Sequence, residues 1–301
     1  MKESFHKESY KIHTNAISNV NIEKDLELYR NWFDNNTTDV WRHLRMLKFL
    51  DVFIKNYSKA NWLTVGDGMF GTSATYINRK GGNALPTDIN VSLLESAKAN
   101  NMIQDYKYAN AELLPFEDDS FDFAFCKEAF HHFPRAFISI YEMLRVSKEA
   151  ILLVEPNDFL PPPIPRRLLQ LLKNNIKKIL GLSIHHADTG NYEPIGNYIF
   201  CISIRDIQKI ALGLHLPMVA YKKFHDVYIE GVEYEKLDGN APLYKKIKKN
   251  IFIQKIFKAT GLSGYNQIMA IIFKKEPSEI LVKELKKSGF TIIRLPDNPY
   301  I

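Results

Sequence analysis

Apolar residues recur at helical spacing from Thr38 to Tyr57: Val40, Leu44, Leu47 and Ile54, with Trp41, Leu50 and Phe53 beside them. That period predicts one amphipathic helix, capped by Thr38 or Asp39. Trp62–Val65 is a short continuous apolar run of the kind that forms a buried strand, and a helix is expected over Thr72–Arg79. A second strand follows at Asn83–Thr87, ending at Asp88, and then a helix opened by the capping-box pattern Ser92-x-x-Glu95. Tyr106–Ala109 suggests a short strand, and Phe121–Cys126 and Ala150–Glu155 longer ones. Between these last two, Pro134–Val146 reads as an amphipathic helix.

Strand and helix alternate, which marks a parallel sheet covered on both faces. In such doubly wound, Rossmann-like α/β sheets, ligands bind at the carboxyl ends of the strands, where strand order reverses. The loop after Val65, Asp88, Asn110 and the residues after Cys126 are therefore expected to converge.

Past Glu155 the regularity breaks. A proline-rich entry leads into a basic amphipathic segment, Arg166–Leu180, and then into the loop "SIHHADTGNYEPIGNYIF". The core pattern resumes at Ser203–Leu214 and Val219–Phe224, is interrupted by the segment Tyr244–Thr260, again read as basic and amphipathic, and closes with a strand at Gln267–Lys275. The organisation expected is an N-terminal helical segment (1–60), the first half of the core (61–155) and a cap insertion (156–202). A core continuation (203–230), a second cap (231–265) and a last strand with a C-terminal arm (266–301) complete it. Insertions over strand ends commonly carry specificity.

Composition sharpens this picture in two places. Hydrophobic residues make up 46% of the 301 positions, which excludes a disordered chain. No stretch approaches the ~18 apolar residues of a membrane span, and the polar start lacks a secretory h-region, so a cytoplasmic protein is expected. Cys126 and Cys201 stand far apart, without metal-site spacing, and read as reduced thiols. No metal is expected. Charge is uneven: residues 1–155 carry 18 basic and 21 acidic side chains, and residues 156–301 carry 22 and 13. The second half, at +9, suits an anionic partner such as a phosphate- or diphosphate-bearing substrate or an acidic membrane surface, and equally a solvated lysine-rich face.

The chemistry concentrates in "LTVGDGMFGTSATYI", a G-x-G-x-x-G at Gly66, Gly68 and Gly71. Such glycines let a chain turn tightly from strand to helix and bring backbone N–H groups to a ligand. Asp88, 22 residues after Gly66, is placed to accept hydrogen bonds from ribose hydroxyls. Both a nicotinamide dinucleotide and S-adenosylmethionine need these features, so the loop alone does not choose between them.

The downstream segments "YANAELLPFEDDSFDFAFCKEAFHHFP" and "YEMLRVSKEAILLVEPN" do choose. Over roughly Trp62–Pro156 the chain resembles the class I S-adenosylmethionine-dependent methyltransferases, and within them the type-11 methyltransferase domain family. The resemblance implies a mostly parallel seven-stranded sheet with S-adenosylmethionine as cofactor, bound by the 61–155 half. It implies that Gly66, Asp67 and Gly68, with Gly71 completing the loop, line the methionine and ribose part. Asp88 would hold the ribose hydroxyls, Ile89 would pack on the adenine, Asn110 and Ala111 would read its edge, and backbone groups around Lys127 would face the methionine end. Three positions depart from the family pattern: Thr64 replaces an acidic residue, Phe70 the third glycine, and Asn110 an Asp.

Methyl transfer to a hydroxyl or an acidic carbon needs a base, and imidazole is well matched to that near neutrality. His131 and His132, just past the fourth strand, are the candidates; bracing the following helix is their alternative role. In the first cap, His185 and His186 (with Asp188) and Tyr192 and Tyr198 are candidate acceptor contacts, with Tyr228 beside them. The expected acceptor is a small molecule or glycan, methylated on a hydroxyl oxygen. Carbon methylation of a prenylated quinone and a non-catalytic cofactor-binding scaffold are the rivals. Nucleic acid is disfavoured by the lack of an aromatic-studded basic strand surface, while the two basic segments allow peripheral membrane contact.

Overall fold

The computed structural model describes residues 5–16, 22–30, 32–158, 192, 197–259 and 264–300. Its centre is one eight-stranded sheet in the order β3-β2-β1-β4-β5-β7-β6-β8. The strands are β1 (Asn61–Val65), β2 (Asn83–Asp88), β3 (Lys107–Tyr108), β4 (Phe121–Lys127), β5 (Ser147–Pro156), β6 (Met218–Phe224), β7 (Gln267–Phe273) and β8 (Thr291–Arg294). The first five run parallel; β7 is antiparallel to β5 and β6, and β6 to β8. Seven strands are those the sequence implies. The eighth is the C-terminal arm, which adds to the edge of β6 through Met218–Tyr221.

The helices are α1 (Phe5–Ala16), α2 (Ile22–Arg30), α3 (Thr38–Leu47), α4 (Leu50–Asn56), α5 (Thr72–Arg79), α6 (Ser92–Ala99), α7 (Ala136–Val146), α8 (Ile204–Gly213), α9 (Pro242–Ala259) and α10 (Glu279–Lys287). Because side chains alternate along each strand, the sheet builds two cores. One holds Phe53, Trp62, Phe123, Phe125, Leu152 and Ile271 under α3, α4, α5 and α10. The other holds Leu63, Ala124, Ile151, Val219 and Ile272 under α7 and α8. Both faces are covered, as a parallel sheet requires.

Three local expectations are corrected. The helix expected over Thr38–Tyr57 is two helices, α3 and α4, because the bonds Asp51 N to Lys48 O (3.2 Å) and Val52 N to Phe49 O (3.3 Å) tighten the turn at the junction. Its cap is Thr37, whose hydroxyl accepts from Val40 N at 3.3 Å, rather than Thr38 or Asp39; Asp39 is buried in an ion cluster instead. The Ser92–Glu95 capping box does not form. Asn90 takes over, its Oδ1 accepting from Ser92 N (3.0 Å) and Ser92 Oγ (2.7 Å).

Candidate active site

Strand order reverses between β1 and β4, and the loops after β1, β2 and β4 meet at their carboxyl ends. The β1–α5 loop is the tightest. Gly66 and Gly71 sit at φ +71° and +64°, and Phe70 between them at +55°. A Cβ on Gly66 would fall 2.4 Å from the Ala129 Cβ, and one on Gly68 2.7 Å from Asp88 Oδ2, so neither position admits a side chain unless the neighbour moves. Phe70 holds a left-handed conformation that costs a non-glycine residue energy. Its fully buried ring stacks on Tyr29 at 5.1 Å and packs with Leu93 and Leu94, which offsets that cost. This is how the loop dispenses with the third glycine of the usual pattern.

Thr64 and Asp67 act together. Thr64 Oγ1 donates to Asp67 Oδ2 (2.8 Å), and the same carboxylate accepts from Ser73 N (3.0 Å) and Ala74 N (2.9 Å), closing the start of α5. Burial pushes the Asp67 carboxyl up, and these donors only partly offset it.

A cavity of about 420 Å³ opens at this edge, within the ~300–1,000 Å³ range of small-molecule sites. Gly66, Gly68, Asp88, Ile89, Asn110, Ala111 and His132 all line it. Asp67, Gly71, Lys127 and His131 do not. Asp67 is turned into the start of α5, and Gly71 faces Ile103 and Pro86. Lys127 points its ammonium at His43 Nδ1 (3.0 Å) and Glu128 Oε2 (3.2 Å). His131 Nδ1 is 2.7 Å from Glu155 Oε2, whose other oxygen accepts from Ala129 N and Phe130 N. His131 thus braces the β4 loop, while its neighbour His132, with ring centroids 3.9 Å apart, borders the cavity.

Asp88 accepts from Asn90 N at 2.8 Å. Burial raises its carboxyl to about 6, against the lowering effect of the Asn90 and Gly68 amides. Asn110 Oδ1 accepts from Glu112 N (3.0 Å), leaving that oxygen a second lone pair. Of the proposed acceptor contacts, Tyr192 and Tyr198 pair with each other across an isolated bridge at 5.4 Å between rings, and neither lines the cavity. Tyr228 lies against Arg42. His185 and His186, with Asp188 and the segment Arg166–Leu180, lie outside the described residues.

Several lining residues were not legible in the sequence. Tyr10 and His13 reach the cavity from α1. That helix is fastened from three sides: Tyr10 Oη donates to Glu112 Oε2 (2.5 Å), Ser9 Oγ to Asn197 Oδ1 (2.7 Å), and Asn90 Nδ2 to Thr14 O. Glu112 in turn accepts from Arg135 Nε (2.6 Å) and Arg135 N (2.7 Å). Glu128 borders the cavity at φ +52°. Burial would raise its carboxyl, but Lys127, His43 and Arg42 outweigh burial and bring it down to about 2. Glu112 and Glu128 carried a signal, as parts of the "NAELLPF" and "FCKEAF" segments.

A doubly wound sheet with a glycine loop, a strand-end carboxylate and a cavity at its switch point defines a protein that binds a nucleoside cofactor. Residues 63–154, from β1 to the end of β5, match the family model described as a methyltransferase domain. That match spans about a third of the chain and agrees with the resemblance to the S-adenosylmethionine-dependent methyltransferases read from the same residues. Among solved structures it is similar to the YcgJ protein of Bacillus subtilis (19% identity, 76% of this chain and 99% of that one, TM-score 0.47). It is also similar to a SAM-dependent methyltransferase of Archaeoglobus fulgidus (16%, 75% and 94%, 0.45). A third is magnesium protoporphyrin IX methyltransferase of Synechocystis with bound S-adenosylhomocysteine (12%, 87% and 98%, 0.49). No curated protein matches the sequence. Among the described residues, no helix is long and apolar enough to cross a membrane.

The residues present fit the cofactor. Gly68 leaves open the space beside Asp88 that a Cβ would fill, Asp88 offers a carboxylate for paired hydroxyls, and Asn110 offers amide groups for a base edge.

Proposed function

We propose that the protein moves the methyl group of S-adenosylmethionine to a hydroxyl oxygen of a small molecule or glycan. The observation that carries this reading is His132 lining the same cavity as Gly68, Asp88 and Asn110. Bound cofactor supplies an electrophilic methyl on a sulfonium, open to in-line attack. The chain's own part is then to hold both reactants in line and to take a proton from the hydroxyl. Gly66 and Gly68 would admit the cofactor, Asp88 would accept from its ribose, and Ile89, Asn110 and Ala111 would flank its base. His132 is the proposed base. His131, tied to Glu155, positions the turn that carries it. A phosphate or diphosphate handle on the acceptor would suit the basic second half of the chain.

The test is formation of S-adenosylhomocysteine from S-adenosylmethionine with panels of hydroxylated, aminated and quinone-type acceptors, repeated with His132→Asn. Turnover confined to hydroxyl acceptors, lost in His132→Asn while that variant still binds S-adenosylhomocysteine, is the expected result. Turnover of quinone-type carbon acceptors alone would overturn the hydroxyl reading. Cofactor binding without turnover in any panel would favour the scaffold reading instead.

A further inference from the structure

Helix α9 buries only a narrow stripe. Ile247 and Ile251 pack with Val232 against Trp41, Val227 and Ile229, and its start is closed by Glu235, whose oxygens accept from Leu243 N (2.6 Å) and Tyr244 N (2.8 Å). The opposite side divides along the axis. Lys245, Lys246, Lys248 and Lys249 cover its first half, all exposed. Over the second half stand Phe252, 63% exposed, Ile253 and Ile256, 47% exposed, with Lys255 and Lys258 beside them. The 18 residues contain six lysines and no Asp or Glu.

We infer that α9 is a docking helix for an anionic phospholipid surface. Its outward side needs a partner that is negative at the level of the lysines and apolar just beneath. A bilayer with acidic headgroups supplies both: the ammonium groups meet phosphates while the Phe and Ile side chains enter the headgroup–acyl boundary. A nucleic-acid backbone would meet the lysines but leave Phe252 and Ile256 in water. A purely apolar protein face would leave the lysines uncompensated.

The placement gives the contact a consequence. Lys258 Nζ lies 5.3 Å over the Tyr265 ring, and that ring packs on His225, the residue that follows β6, with centroids 4.8 Å apart, so α9 stands at the same sheet edge onto which the cavity opens. Docking by α9 sets that edge beside the bilayer, where an acceptor with a lipid anchor would arrive. The docking itself rests on the α9 surface and holds whichever atom is methylated.

The experiment is co-sedimentation of the full chain with phosphatidylcholine vesicles, with and without phosphatidylglycerol. The chain is expected to pellet with the acidic vesicles only and to be released as salt is raised. The double variant Phe252→Ser with Ile256→Ser is expected to weaken binding about tenfold or more, with an unchanged unfolding temperature since both side chains are exposed. Lys245→Glu with Lys249→Glu should weaken it as well. No sedimentation overturns the inference, as does full binding by the Phe252/Ile256 variant. So does a concentration-dependent dimer that these substitutions dissolve, or tighter binding of single-stranded RNA than of acidic vesicles.

Discussion

The two halves of the sheet's carboxyl edge use polar residues in opposite ways. Beside β1, β2 and β4, Asp88, Asn110 and Glu128 border an open cavity. Near the end of β6 the charged groups pair with one another inside the protein, although Arg42 Nε and both His225 ring nitrogens are buried without a hydrogen-bond partner. Arg42 reaches Asp39 through Nη1 (3.0 Å) and Asp226 through Nη2 (2.5 Å), and Arg45 donates to His225 O (2.7 Å). Asp39 also accepts from Trp32 Nε1 at 3.2 Å. Both places gather charge at strand ends, yet only one is arranged to receive a ligand. Clustered charge is therefore a poor guide to a site; what counts is whether its partners already lie inside the protein.

The contrast can be broken from the locked side first. Arg42→Ala would leave Asp226 with only Arg45 at 3.5 Å and Asp39 with only His43 at 3.5 Å as charged partners, at a cost of about 3–5 kcal/mol in chemical denaturation. Affinity for S-adenosylhomocysteine should survive in whatever remains folded. A loss below ~1 kcal/mol would mean that water enters the cluster and that the two sides differ less than their geometry indicates.

On the open side, Gly68→Ala places a methyl against Asp88. Calorimetry should show S-adenosylhomocysteine binding about 100-fold weaker, roughly 3 kcal/mol. Wild-type affinity would show that the ligand does not use this approach.

Asp88 links the site to pH. Its folded-state value, about 6, lies above the ordinary carboxylate range, so ionisation opposes folding. The ligand-free protein should lose stability as pH rises through the interval up to about 6, and the full penalty should persist above it. Asp88→Asn should then stabilise the ligand-free fold by ~1–2 kcal/mol in melts at pH 8, with no gain at pH 4. Ribose hydroxyls favour the ionised acceptor, so ligand affinity in the unsubstituted protein should climb about tenfold from pH 5 to pH 7.5. Flat affinity across that range would remove Asp88 from the binding contacts.

The smallest effect expected is at Tyr10→Phe. It removes the hydroxyl that ties α1 to Glu112 and should weaken ligand binding by about 1 kcal/mol or less. Faster hydrogen exchange confined to α1 would accompany it. An unchanged exchange rate would show that Ser9 and Thr14 hold the helix unaided.

Much of the cofactor side was readable from local pattern. The apolar run before Gly66, the spacing to Asp88 and the strand at Phe121–Lys127 are short-range features, set by period and turn chemistry within a few residues. The exchange of caps was less readable, because Thr37 and Asn90 compete with neighbours of similar capping ability and backbone geometry selects among them. Side-chain direction was not readable at all. Asp67 and His131 sit in the motifs as well as Gly68 and His132 do, yet contacts to Ser73, Ala74 and Glu155 turn them from the cavity.

By itself, the sequence determined the parallel half of the sheet and the glycine turn, since each depends on residues near one another in the chain, while the cofactor class came from the family resemblance over Trp62–Pro156. Only the tertiary structure decided which motif residues face the cavity, that α1 covers it, and that β8 extends the sheet. Those outcomes turn on pairs such as Tyr10 with Glu112, Ser9 with Asn197 and Met218 with Arg294. Their members lie 76 to 188 residues apart, where no local period can encode the contact and packing of the whole chain sets it.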